Sequence, residues 1–181
     1  FVEVLVPDDR ADLPWRDALG AVPDGARLPV QQHAAAWLRD ALASLEAGRV
    51  VVIDYADTAA NLVARPWTQW VRTYQEHERG GAPLDDPGSQ DITCEVVVDA
   101  LAAVRPPTRH RSQAEFLAAH GIDDLVAEGR RIWAERAHIG DLVALRARSR
   151  VREAEALVDP AGLGAFHVLE WEVPPLPDAT D

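Results

Sequence analysis

The chain has 181 residues, 48% of them hydrophobic and 27% charged, enough for one domain with a real core. Its formal net charge of −12 comes from 30 acidic and 18 basic residues, every basic one an arginine. Such an acidic surface disfavours nucleic acid and anionic lipid as partners.

Phe1-Val2-Glu3-Val4-Leu5-Val6 reads as a strand, and a methionine-free chain that opens inside a strand reads as part of a longer polypeptide. Pro7 to Pro29 carries four prolines and scattered aspartates, the composition of a loop with one short helical turn. Val30 to Ala47 is an amphipathic helix stopped by Gly48, its apolar face made by Val30, Ala34, Trp37, Leu38, Ala41, Leu42 and Leu45. Gly48-Arg49-Val50-Val51-Val52-Ile53-Asp54-Tyr55 follows. Its unalternated β-branched run predicts a strand buried on both faces, ending abruptly on a carboxylate and a phenol. Helix, glycine stop and buried strand make one half-turn of a wound α/β sheet. In such sheets chemistry collects beyond the carboxyl ends of the strands, which is where Asp54 and Tyr55 stand.

Ala56 to Gln90 lacks periodicity and is rich in Gly and Pro, yet Trp67, Trp70 and Tyr74 argue against disorder. It is expected to be an ordered excursion folded over the tip of the Val50–Asp54 strand. Ile92 to Val98 reads as a strand, Asp99 as the cap of a short helix through Val104, and Pro106-Pro107 as a break. Ser112-Gln113-Ala114-Glu115 is a capping box whose helix ends at Gly121. Asp123–Ala137 and Asp141–Ala156 are two further helices parted near Gly140. Asp159 to Gly164 is a turn, Phe166–Val173 alternates like a half-exposed strand, and Pro174, Pro175 and Pro177 lead into a loose tail.

Several chemistries are excluded by spacing. The six histidines include no His-x-x-x-His pair and no cysteine partner at metal-ligand spacing, so no metal is expected. Cys94 falls inside a strand as a filler, and no Gly-x-Ser-x-Gly elbow exists. Gly162-Leu163-Gly164 precedes a strand, whereas a nucleotide cradle follows one. Arg146, Arg148, Arg150 and Arg152 split between opposite faces of their helix, as on a solvated helix. No apolar run approaches the ~20 residues that cross a bilayer. With no visible signal peptide and one cysteine, the expected compartment is the cytoplasm.

Three segments in this order resemble the MidA-type methyltransferases. They are Gly48 to Tyr55, Trp70-Val71-Arg72-Thr73-Tyr74-Gln75-Glu76-His77, and Pro83 to Val96 with its Gly88-Ser89-Gln90-Asp91-Ile92-Thr93 element. The Ser112–Leu117 and Glu153–Leu169 segments look similar too. The resemblance implies an α/β fold forming part of a Rossmann-like class I methyltransferase sheet, with flanking helices and a long insertion after a central strand. It implies one domain over residues 1–173, an insertion over about 56–91, and a tail from 174. It further implies S-adenosylmethionine as cofactor and a protein substrate, with arginine as the methyl acceptor. The family's Gly-rich cofactor loop has no counterpart here, so this chain would be the C-terminal, acceptor-side half, with the cofactor site mainly upstream and the isolated chain inactive.

A cationic acceptor needs carboxylates to orient it, which nominates Asp54 and Asp91 as catalytic. Tyr55, Tyr74, His77 and Thr93 would line the acceptor side. The competing expectation is a non-catalytic interaction domain, docking a partner through the aromatic Trp67–His77 loop. Strand edges exposed at the cut would favour self-association.

Overall fold

The computed structural model describes residue 4 and residues 13–175, and these fall into two compact units. The expected opening strand, apart from exposed Val4, and residues 176–181 of the expected tail lie outside the described residues.

The first unit holds residues 13–48, 56–106 and 173–175. A 3-10 turn, Arg16–Leu19, sits in the proline-rich stretch, followed by α1 (Gln32–Ala43). α1 stops earlier than its apolar pattern predicts, at Ser44, whose N–H already reaches the Asp40 and Leu42 carbonyls. Only Leu38 of the stripe is fully buried, and Trp37 is 53% exposed. After β1 (Gly48–Asp54), which lies almost entirely in the other unit, come β2 (Ala56–Asp57) and α2 (Ala59–Val63). Next are β3 (Val71–Gln75), β4 (Glu78–Arg79), β5 (Asp91–Cys94), β6 (Val96–Val97) and α3 (Val98–Val104). β2 and β6 pair in parallel, while β4, β3 and β5 form an antiparallel three-stranded sheet in that order. Trp15, Leu62, Trp70 and Val97 make the core, and the Trp70 indole N–H donates to the Leu62 carbonyl at 3.2 Å. That bond satisfies a polar group the core would otherwise strand.

Residues 56–90 are therefore more regular than their sequence suggests. Apart from Pro66, the Gly and Pro residues sit in the 80–90 connection and leave β3 intact. Asp99 lies inside the first turn of α3, with Val97 at the N-cap, and its carboxylate accepts the Ala59 N–H at 2.6 Å.

The second unit holds residues 49–55 and 107–172. Here β1 joins β7 (Arg109–Ser112), α4 (Gln113–Ala118), α5 (Ile122–Arg136), α6 (Leu142–Val158) and β8 (His167–Val173). The capping box forms as expected: Ser112 Oγ accepts from Glu115 N, and the Glu115 carboxylate accepts from Ser112 N at 2.8 Å. Gly121, at φ 87°, supplies the left-handed turn between α4 and α5 that a Cβ would strain.

The sheet order is β1-β8-β7, which reverses two expectations. β1, read as buried on both faces, is only half-buried, and Ile53 is 44% exposed. β8, read as half-exposed, is the central strand, with Val168, Leu169, Glu170 and Trp171 all buried. Alternation of apolar and polar residues predicts an open face only if the polar ones meet water. Here Glu170 meets arginines instead. β7 has no apolar residue and went unanticipated; it exists through its antiparallel register with β8, Arg109 opposite Glu170 and Ser112 opposite His167. Among the described residues the architecture is mixed α/β with three small sheets.

Candidate functional site

The chemistry of the first unit starts at the end of β2. Asp57 Oδ1 accepts the Thr58 N–H at 2.8 Å and the Asn61 amide at 2.7 Å, while Oδ2 faces Arg65 at 2.9 Å. Arg65 also reaches Glu95 Oε2 at 2.5 Å, and Arg72, from β3, reaches Glu95 Oε1 at 3.2 Å. Glu95 is 7% exposed, so two guanidinium groups compensate one buried carboxylate. The bond to Glu95 is the main reason the Arg65 guanidinium is held above its ordinary pKa. Gln31 closes the network from α1's N-cap, donating to the Glu95 carbonyl and accepting the Val97 N–H, both at 2.8 Å. The signal for this cluster was present: Glu95 is an acid set inside the apolar run from Ile92 to Val98. Its arginine partners, 30 and 23 residues away, could not be paired with it from sequence alone.

The network anchors the hairpin that carries four of the nominated residues. Directly opposed residues of an antiparallel pair share a face. Tyr74 opposes Asp91 and also Arg79, and Arg72 opposes Thr93. One face thus presents a row across three strands, Asp91–Tyr74–Arg79, beside Thr93 and Arg72. The Arg79 guanidinium lies 5.3 Å from the Tyr74 ring centroid, a cation–π contact. Thr93 Oγ1 donates to the Arg72 carbonyl at 3.4 Å. His77 shares the face's rim rather than the row. It occupies the β3–β4 turn with Glu76, at φ 71° and 51° respectively.

Two consecutive positive-φ residues define the hairpin turn that Asn-Gly normally fills. Glu76 and His77 carry the steric cost of that conformation. Glu76→Asn with His77→Gly is therefore expected to raise stability by about 1–2 kcal/mol, seen as a higher urea midpoint. An unchanged or lower midpoint would show that these side chains earn their place through contacts the turn needs.

The other nominated pair lies in the second unit. Asp54 Oδ1 accepts the Tyr55 N–H at 2.8 Å, so this carboxylate shapes the turn at the strand tip. Tyr55 packs edge-on against Phe166 with centroids 4.6 Å apart. The structure thus brings Asp54 and Tyr55 together in one unit, and Tyr74, His77, Asp91 and Thr93 together in the other.

Cys94 is half-buried at the end of β5, and burial pushes its thiol pKa up, away from the thiolate a nucleophile needs. Among the described residues no group of three or more His, Cys, Asp or Glu could hold a metal ion, and no helix is long and apolar enough to cross a membrane.

In the second unit the buried acid is Glu170, 2% exposed. Arg49 of β1 reaches Oε2 at 3.0 Å, and Arg111 of β7 approaches Oε1 through Nε at 3.0 Å and Nη2 at 2.7 Å. One carboxylate from the central strand thereby clamps both its neighbours. On the opposite face of the same strand pair, His110 Nε2 and His167 Nδ1 stand 2.8 Å apart, and burial, then the second imidazole, holds the His110 pKa below its ordinary value.

Comparison with known proteins adds the following. A family model described as "Putative S-adenosyl-L-methionine-dependent methyltransferase" matches residues 3–118. The crystal structure of an uncharacterized protein from Burkholderia thailandensis superposes with a TM-score of 0.68 at 26% identity, over 93% of this chain and 44% of that one. A member of the same superfamily from that organism, bound to S-adenosyl-homocysteine, superposes with a TM-score of 0.61 at 28% identity, over 80% of this chain and 36% of that one. The chain thus spans less than half the length of either solved structure. No curated protein matches it.

Proposed function

Because this chain belongs to the S-adenosyl-L-methionine-dependent methyltransferase family whose model covers residues 3–118, we propose that it serves methyl transfer to an arginine of a protein substrate. We read it as a MidA-type member acting in the cytoplasm, and as the acceptor side of its active site. The supporting observation is the Asp91–Tyr74–Arg79 row, in which a guanidinium already rests on the Tyr74 ring in register with a carboxylate. An incoming arginine would find the same chemistry there: an aromatic face for its plane and a carboxylate for its N–H groups.

In this reading Asp91 orients the acceptor guanidinium and Tyr74 stacks on it. Thr93 and His77 border the same face; Asp54 and Tyr55, in the other unit, are proposed separately as a catalytic carboxylate and a substrate-binding phenol. A carboxylate beside the reacting nitrogen also favours loss of its proton.

S-adenosyl-L-methionine is proposed as the methyl donor, from the family and from the S-adenosyl-homocysteine held by one of the neighbours. The described residues do not fit as its cradle. The strand-to-helix junction at Asp57 has its carboxylate committed to Thr58, Asn61 and Arg65, and α2 beyond it is five residues long. The donor site is therefore proposed to lie mainly outside the region this chain shares with its neighbours. β1, β8 and β7 are read as one end of a Rossmann-like sheet, a reading supported by the half-buried state of β1.

The test is substitution of Asp91 or Asp54 by Asn in the complete gene product. Losing a charged hydrogen-bond partner of the acceptor is expected to lower turnover roughly 10- to 100-fold, with binding of S-adenosyl-homocysteine unchanged by calorimetry. Full turnover in both variants would remove these carboxylates from the reaction. Absence of any methyl transfer by the parent would remove the reading itself.

A further inference from the structure

α5 and α6 form an antiparallel hairpin drawn tight at Gly129, where an added Cβ would come within 2.8 Å of Val151 Cγ2 and 3.2 Å of the Ala147 carbonyl oxygen. Over that seam the two helices leave an apolar groove of about 620 Å³, with Gly129 and Ala147 in its floor. Leu125, Ile132, Val143 and Leu157 line it, and Leu125 is 66% and Val143 51% exposed. An apolar surface of this kind on a soluble chain marks an interaction site.

Two features say what covers it. First, α5, α6 and their connection, residues 122–158, carry seven acidic residues and seven arginines. This is a neutral region on a chain of net charge −12, so like copies can meet here without the repulsion they would feel elsewhere. Second, the rims are complementary to each other. Glu128 on α5 and Arg150 on α6 both line the groove, and the Gly129 contact with Ala147 and Val151 puts them at one height along the helices. Among the described residues neither forms an ion pair, whereas Arg130 is paired with Glu155 at 3.1 Å and Glu153 accepts from Ser149 at 2.7 Å.

We propose that the groove is filled by the same groove of a second copy, related by a two-fold axis parallel to the helices. Such an axis lays each α5 antiparallel on the other copy's α6 and keeps every residue at its own height. Glu128 of each copy then meets Arg150 of the other, twice over, above a shared apolar floor. An axis running across the helices would set α5 on α5 instead, acid rim against acid rim.

Sedimentation velocity on the 181-residue chain, over roughly 1–100 µM, tests this, since interfaces of modest size associate in that range. The parent is expected to be a dimer in the upper part of the range. Glu128→Arg or Arg150→Glu alone turns both attractions into repulsions and should weaken dimerisation about tenfold or more. The double swap should restore it to near the parent value. Both positions are solvent-exposed, so the variants should retain the parent's circular dichroism. A chain that stays monomeric throughout, its groove left to another polypeptide, overturns the proposal. So does a dimer indifferent to the swaps, which would place the contact on a strand edge or another face.

Discussion

Replacing Glu170 by alanine is expected to cost about 3–5 kcal/mol of stability, the toll of removing one partner from a buried ion pair. Against a total of roughly 5–15 kcal/mol for a domain, that is enough to leave the second unit marginal. The cost falls unevenly. Arg49 is 42% exposed and can turn its guanidinium to water, but Arg111 is only 16% exposed and would be left charged without its carboxylate. The same reasoning predicts a partial rescue. Glu170→Leu combined with Arg111→Leu removes the charge along with its partner, and should recover most of the loss. Urea unfolding of the three proteins measures both effects. A loss below about 1 kcal/mol in Glu170→Ala would mean that water reaches the centre of the sheet, contrary to the burial of Val168, Leu169 and Trp171 around it.

What the sequence made legible is local. The Ser112–Glu115 capping box needs only four residues to be recognised, and it forms. The two long helices and the break near Gly140 also lie where the sequence reading puts them, within a residue or two. What escaped depends on partners distant in sequence. Glu170 reads as the outward member of an alternating strand until Arg49 and Arg111, 121 and 59 residues away, are placed beside it. β7 is all polar and becomes a strand only because β8 offers it hydrogen bonds. The β3–β5 pairing was hidden by the Gly- and Pro-rich connection between its strands, although the resemblance had singled out Tyr74, His77, Asp91 and Thr93 in the same two segments. The candidate site was thus legible as residues, while the Arg65–Glu95–Arg72 anchor beneath it was not.

That anchor carries the second large effect. Glu95→Ala strips a buried carboxylate from two guanidinium groups, Arg65 and Arg72, that are about one-quarter exposed. Arg65 keeps Asp57 at 2.9 Å, whereas Arg72 loses the carboxylate that ties β3 to the chain after β5. The expected cost is about 3 kcal/mol, at the lower end of the range for a broken buried pair because one arginine is partly compensated. Glu95→Gln keeps two polar atoms in place and should cost less than half as much. The informative comparison is with Asp91→Asn, an exposed substitution at the far end of β5, three positions from Cys94, that should leave stability within ~0.5 kcal/mol. If the anchor positions the face, Glu95→Gln in the complete gene product lowers turnover while its urea midpoint falls only slightly, and Asp91→Asn lowers turnover with no fall at all. Hydrogen exchange at the β3 and β5 amides supplies the readout that activity cannot. Protection there should drop in Glu95→Gln and stay at the parent level in Asp91→Asn. Equal protection in both variants would detach Glu95 from the hairpin and leave it a stabiliser of Arg65 alone.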